Sequence, residues 1–320
     1  LKWFSGRNNM NSSASVIYEP FDDYAQSANT LFHFMKQSQY LKSILQKCAL
    51  VPRYCIEDVG YLDIKNNGNK FNEVAILQKC FCDIPFHKLG ENFALNAVGD
   101  TYEALDDKEK SLLEKRNTHF DYYGCFAIGF SKKWGELNHL QPIHYLNNDS
   151  QYTKEFSALL ESVFSDDDIS DNYVQDIINR LTYTKPLRGI MKRKIKANDS
   201  CVDIEIYKNF HDEREWRYVP DASKVSFLDM ENIIANPRVI KFYNVISDNL
   251  ESEKFKDIWL HFSYDDIRYI IVPDTHERLN IINCIMDIPD DKFASTSDIE
   301  QQKYVLISKI LVLNEIRKDW

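Results

Sequence analysis

From residue 30 the chain runs TLFHFM, an apolar and aromatic stretch of strand type. Tyr40, Leu41, Ile44 and Leu45 then recur at helical spacing, and Pro52 marks a turn. ILQKCFCDIPF (76–86) predicts a buried strand ending at Pro85, and TYEALDDKEKSLLEKR (101–116) predicts a charged helix. YYGCFAIGFSKKWG (122–135) reads as a strand in which Gly124 and Gly129 allow close backbone approach, and PIHYL (142–146) as a shorter one. Residues 152–183 show two helical patterns separated by the acidic turn SDDDIS. CVDIEIYKNFHDEREWRYV (201–219) has strand character on both sides of a turn. DIRYIIVP (266–273) predicts a strand and THERLNIINCIM (275–286) a helix, whereas VLISKILVLNEIRKDW at the C-terminus fits either period.

Strands and helices intermixed without a regular βαβ rhythm predict an α+β fold with a mixed, mainly antiparallel sheet. No proline- or serine-rich linker divides the chain, so residues 30–320 are expected to form one domain with a helical insertion near 147–184. Residues 1–29 read as an N-terminal extension. The chain begins at Leu1, and Met10 opens a polar NSS segment, so residues 1–9 are expected to be upstream or added sequence.

With 320 residues, 44% of them hydrophobic, the composition is that of a packed globule. A formal charge of −10 sets the molecule as a whole against nucleic acid and anionic membranes. One segment departs from that balance. KPLRGIMKRKIK (185–196) carries Lys185, Arg188, Lys192, Arg193, Lys194 and Lys196 with no acid among them. It is either a solvated strand edge or a patch for an anion or nucleic acid. Seven cysteines, no secretory signal and no apolar run of about 18 residues predict a cytoplasmic protein with reduced thiols and no membrane span. Neither G-x-G-x-x-G nor a P-loop is present.

Cys80, Cys82 and His87 have a spacing that could contribute metal ligands, but no second ligand element completes a set. Core cysteines explain the pattern, and no metal is expected. His33, between aromatic residues, is either a core histidine satisfied by backbone or a ligand contact. Glu213 and Glu215 in FHDEREWRYVP stand two apart in what reads as a strand, which puts both carboxylates on one face. Like charges that close raise at least one pKa. Arg214 and Arg217 offer the alternative of a charged strand neutralised by cross-strand pairing. Trp216 and Tyr218 would form the buried face, with Glu213, Glu215 and Arg217 opposite, toward solvent or a cleft.

LFHFMKQSQYLKSIL, the following PRY, KCFCDIPF, YYGCFAIGFSKKWG, PIHYL, KPL at 185–187, FHDEREWRYVP, DIRYIIVP and SKILVLNEIRKDW occur in the order in which they resemble the AbiGi family of abortive phage-resistance proteins. That resemblance implies a component of a bacterial anti-phage system: a regulator, antitoxin or sensor binding a partner effector encoded nearby. A more distant similarity, to the ADP-ribosyltransferase core, implies an alternative NAD-dependent activity and an ADP-ribosyltransferase-like fold. In that alternative His33 would contact the NAD ribose, Tyr54 would stack on nicotinamide and Arg53 would meet phosphate. Glu215 would be the catalytic carboxylate, assisted by Glu213, stabilising positive charge on the sugar. Phe34 and Met35 stand after His33 where such enzymes carry a small residue, and a transferase fold kept only for binding is the rival reading.

Overall fold

The computed structural model describes residues 27–66, 69–93, 96–165, 171–197, 200–221, 231–294 and 298–319. The expected extension therefore lies almost wholly outside the described residues, as does most of the acidic turn SDDDIS.

A long central strand, Glu73–Cys82, organises the main sheet. The strand order is Ile310–Val312, Ile267–Val272, Phe126–Ser131, Thr30–Met35, Glu73–Cys82, Glu215–Tyr218, Gln141–Pro142. Arg53–Asp58 and Ile233–Ile234 pair with the first half of the central strand. Every pairing in this sheet is antiparallel except that of Ile267–Val272 with Ile310–Val312. The fold is α+β with mainly antiparallel sheets.

Alternation along these strands gives the sheet two apolar faces. One carries Leu31, Ile128, Phe130, Trp216 and Ile270, and the helices Ser38–Lys47, Thr275–Met286 and Ile299–Ser308 cover it with Leu41, Ile281, Ile285 and Leu306. The other carries Phe32, Cys82, Ala127 and Ile271 under Phe120 and Leu313. The helices Gln151–Ser165 and Asp171–Leu181 lay Phe156, Leu160, Val163, Ile177 and Leu181 over Val74 and Ile76.

Close approach governs the segment before Phe126–Ser131. Gly124 has φ 114°, and a Cβ there would overlap the Met35 carbonyl; at Gly129 it would stand 2.9 Å from the Phe32 ring. The expectation of close approach at both glycines holds.

Three sequence expectations change. The charged helix of 101–116 breaks into Asp100–Glu103 and Asp107–Lys115, because Asp106 forms a capping box with Glu109 and starts a new helix. The stretch 122–135 contains a strand only at Phe126–Ser131, flanked by the helices His119–Tyr123 and Lys132–Leu137. The ambiguous C-terminus is a helix, the strand Ile310–Val312 and a second helix, Leu313–Asp319. A three-residue strand is too short to impose a period.

Candidate functional site

The stretch FHDEREWRYVP is not one strand. Phe210–Glu213 forms a 3-10 turn, Arg214 takes a left-handed conformation with φ 45°, and the strand starts at Glu215. Glu213 and Glu215 nonetheless converge, because both meet one ammonium. Lys185 Nζ lies 2.7 Å from Glu213 Oε2 and 3.0 Å from Glu215 Oε2. Lys185 comes from the short strand Thr184–Pro186, which is paired in parallel with His144–Leu146.

The remaining oxygens are also occupied. Lys208 Nζ donates to Glu213 Oε1 at 2.8 Å and to the Tyr123 hydroxyl at 2.6 Å, and that hydroxyl itself donates to Glu213 Oε1. Arg217 Nε donates to Glu215 Oε1 at 2.6 Å, its Nη2 to Glu57 Oε1 at 2.9 Å and its Nη1 to the Thr182 carbonyl at 2.7 Å. Gln78 Nε2 donates to Glu57 Oε1 at 2.8 Å. Three carboxylates and three cations thus cancel within one largely buried cluster.

Burial pushes the Glu213 and Glu215 carboxyls up, but the cations outweigh it, Lys185 and Lys208 at Glu213 and Arg217 and Lys185 at Glu215. Both are held below the ordinary carboxylate range. This corrects the expectation that mutual repulsion raises one of them. Burial also works against charge on Lys185, yet Glu213 and Glu215 hold its pKa well above the ordinary lysine value. Arg217 is fully buried rather than facing solvent, while Trp216 joins the apolar core as expected.

Above the cluster lies a cavity of about 260 Å³, lined by Phe32, His33, Phe34, Gln78, Cys80, His119, Tyr123, Lys185, Glu213 and Glu215 among others. It shares His33, Phe34, Cys55, Gln78, Cys80 and Tyr123 with a groove of about 540 Å³ that extends to Arg53 and Lys79. His33 stands where its strand, paired with the central strand at Phe32↔Cys82, parts from it. Its Nδ1 donates to the Cys80 carbonyl at 2.8 Å, so one nitrogen is satisfied by backbone and the other is left to accept. Burial and the Lys79 charge keep this ring neutral, with its pKa lowered to about 3 against the opposing backbone bond.

Tyr54 is not part of this site. Strand alternation turns it away from Arg53 and Cys55, its ring packs among Ala75, Leu77, Leu250 and Phe255, and its hydroxyl donates to the Glu231 carbonyl at 2.6 Å. A residue held there cannot stack on a ligand in the cavity. Arg53 lines the groove and pairs with Asp248 at 2.7 Å.

The basic segment does not form one patch either. Lys185 belongs to the ion cluster, and Arg193 lies over the Tyr122 ring and donates to the Arg116 carbonyl. Arg188, Lys192 and Lys194 are exposed on the edge strand Arg188–Ala197, where Lys192 stands opposite Glu205 and Lys194 opposite Asp203. Among the described residues no group of three or more His, Cys, Asp or Glu side chains could hold a metal. Cys82, of the Cys80, Cys82 and His87 set, packs in the core with Phe32 and Ile84. No described helix is long and apolar enough to cross a membrane.

Sequence reasoning missed Glu57, Gln78, His119, Tyr123 and Lys208. Glu57 had a signal, because strand alternation puts it on the face of Arg53 and Cys55, opposite the buried Tyr54. Lys208 had none, because its partner Glu213 lies across a turn.

Fold and site together define an α+β protein whose sheet carries a cavity floored by mutually compensated charges. Residues 110–273 match the family model described as "Putative abortive phage resistance protein AbiGi, antitoxin". The chain is 33% identical over 282 residues to "Abortive phage resistance protein AbiGi" of Lactococcus lactis subsp. cremoris, covering 85% of this chain and 100% of that relative. It belongs to the AbiGi family of abortive phage-resistance proteins. No solved structure matches it.

Proposed function

We propose that this protein is the antitoxin-type regulator of an abortive-infection system and works by binding a protein partner, without turning over a substrate. The observation that carries this reading is that each oxygen of Glu213 and Glu215 already accepts from a lysine or arginine. A carboxylate so neutralised has little field left to stabilise a developing cation on a sugar. The family's description as an antitoxin supports the same reading. Co-expression with the product of the neighbouring gene should yield one complex on size-exclusion chromatography, with no nicotinamide released from NAD by either the chain or the complex. Full phage protection by the chain alone, with no partner, would overturn it.

One observation favours the ADP-ribosyltransferase reading with NAD as cofactor. His33, Glu213 and Glu215 do line one cavity. In that reading Glu215→Gln yields a folded protein that has lost both nicotinamide release and toxicity, and an unaffected variant excludes it.

A further inference from the structure

The ion cluster leaves two polar atoms over. Gln78 Oε1 and His119 Nδ1 are buried, belong to residues lining the cavity and have no hydrogen-bond partner among the described residues. Buried polar atoms without partners are few in folded proteins, and each costs about 1–3 kcal/mol. The orientation of the Gln78 amide follows from its other end. Nε2 donates to Glu57, and the flipped amide would set its oxygen against that carboxylate. Oε1 is therefore a fixed acceptor awaiting an N–H donor.

The walls select the shape of the donor's carrier. Phe32, Phe34, Phe81 and Tyr123 line the cavity, and the His119 ring sits 4.7 Å from Phe34 and 4.5 Å from Tyr123 between centroids. Flat aromatic walls favour a planar ring. Charge selects further, because three carboxylates and three cations compensate one another and leave the cluster no net charge to attract an ion. Burial keeps His119 neutral, with its pKa lowered to about 3. At about 260 Å³ the cavity falls just below the roughly 300–1,000 Å³ of ordinary ligand pockets, and by itself it has room for a base rather than a whole dinucleotide.

We propose that this cavity binds an amino-bearing nucleobase as its nucleoside. The exocyclic amino group donates to Gln78 Oε1, the base meets His119 Nδ1 and lies among the aromatic rings, and the ribose points into the groove toward Arg53 and Lys79. A base that presents a carbonyl in place of the amino group would set two acceptors face to face and be rejected. The proposal does not rest on the partner-binding reading, since the cavity exists in the single chain.

Isothermal titration calorimetry of the full chain with adenosine, cytidine, uridine and NAD tests it. Adenosine or cytidine should bind saturably and at least about tenfold more tightly than uridine or NAD, which corresponds to about 1.4 kcal/mol. Gln78→Met should abolish the preference over uridine. If that variant does not fold, Phe34→Ala, at a half-buried wall position, should weaken nucleoside binding by a similar factor. No saturable nucleoside binding, equal affinity for uridine, or tighter binding of NAD would each overturn the assignment. Complex formation with the partner is measured separately, so failure of one reading leaves the other standing.

Discussion

Arg217 Nε donates to Glu215 Oε1 across 2.6 Å, two positions along the same strand, with both side chains buried. The same guanidinium reaches Glu57 and the Thr182 carbonyl, so each of its three nitrogens has a partner. A planar donor fork holds such a site where a lysine could not.

Arg217→Met should therefore leave Glu57 and Glu215 buried with too little compensation. Removing one partner of a buried pair costs about 3–5 kcal/mol, whereas replacing the whole set by apolar groups can be neutral. Urea unfolding should show a loss of that size in Arg217→Met. Adding Glu215→Gln should recover part of it. A single variant as stable as the parent would show that the pairs add nothing.

The two cavity histidines make stability depend on pH in the mildly acidic range. Burial lowers the pKa of His33 and of His119 from 6.5 to about 3, so the unfolded chain binds protons that the folded chain refuses. Stability is then fully present above about pH 6.5 and falls as the pH drops toward 3, by at most about 1.4 kcal/mol per pH unit for each group. Glu213 and Glu215, with depressed folded values, add to the loss only below their unfolded pKa, about 4.5. Urea midpoints measured between pH 7 and pH 5 should decline, and His119→Gln should flatten that decline. An unchanged slope in the variant would mean that the fold does not lower the pKa of His119.

Gly124 should tolerate no side chain. Its φ of 114° is strained for any L-residue, and a Cβ would overlap the Met35 carbonyl. Strain of this kind costs about 1–3 kcal/mol before any clash is counted. Thermal unfolding of Gly124→Ala should show a clear fall in Tm, while Gly90→Ala, with open space around it, should not.

The strands at 30–35 and 267–272 were legible as short apolar runs buried on both faces, and the helix at 275–286 by apolar residues at helical spacing. The site was only half legible. Adjacent charges in EREWR marked Glu213, Glu215 and Arg217, but no local pattern announces the 3-10 turn that ends at Glu213 with Phe210 and Glu213 buried. Tyr54 was misplaced for a different reason. Its neighbour Arg53 does reach the groove, and alternation sends the next residue to the far side. The partners Glu57 and Lys185 lie on segments far from Glu215 in sequence, where pairing carries no short-range signal, and Lys208 meets Glu213 only through the turn between them.

The basic run at 185–196 should not bind nucleic acid appreciably. Two of its six cations are withdrawn, Lys185 into the ion cluster and Arg193 onto Tyr122, and two of those exposed face Glu205 and Asp203 across the ribbon. Non-specific affinity comes from counterion release by unpaired cations, with a slope of about −0.9 per phosphate neutralised on duplex DNA. A strand with so few uncompensated charges, on a chain of net charge −10, releases few counterions. Electrophoretic shifts with labelled DNA and RNA should be absent at physiological salt and weak at low salt. Replacing Asp203 and Glu205 by Asn and Gln should strengthen low-salt binding, because it leaves Lys192 and Lys194 without an acid opposite. A steep salt dependence in the parent chain would show that the acids opposite do not compensate the strand.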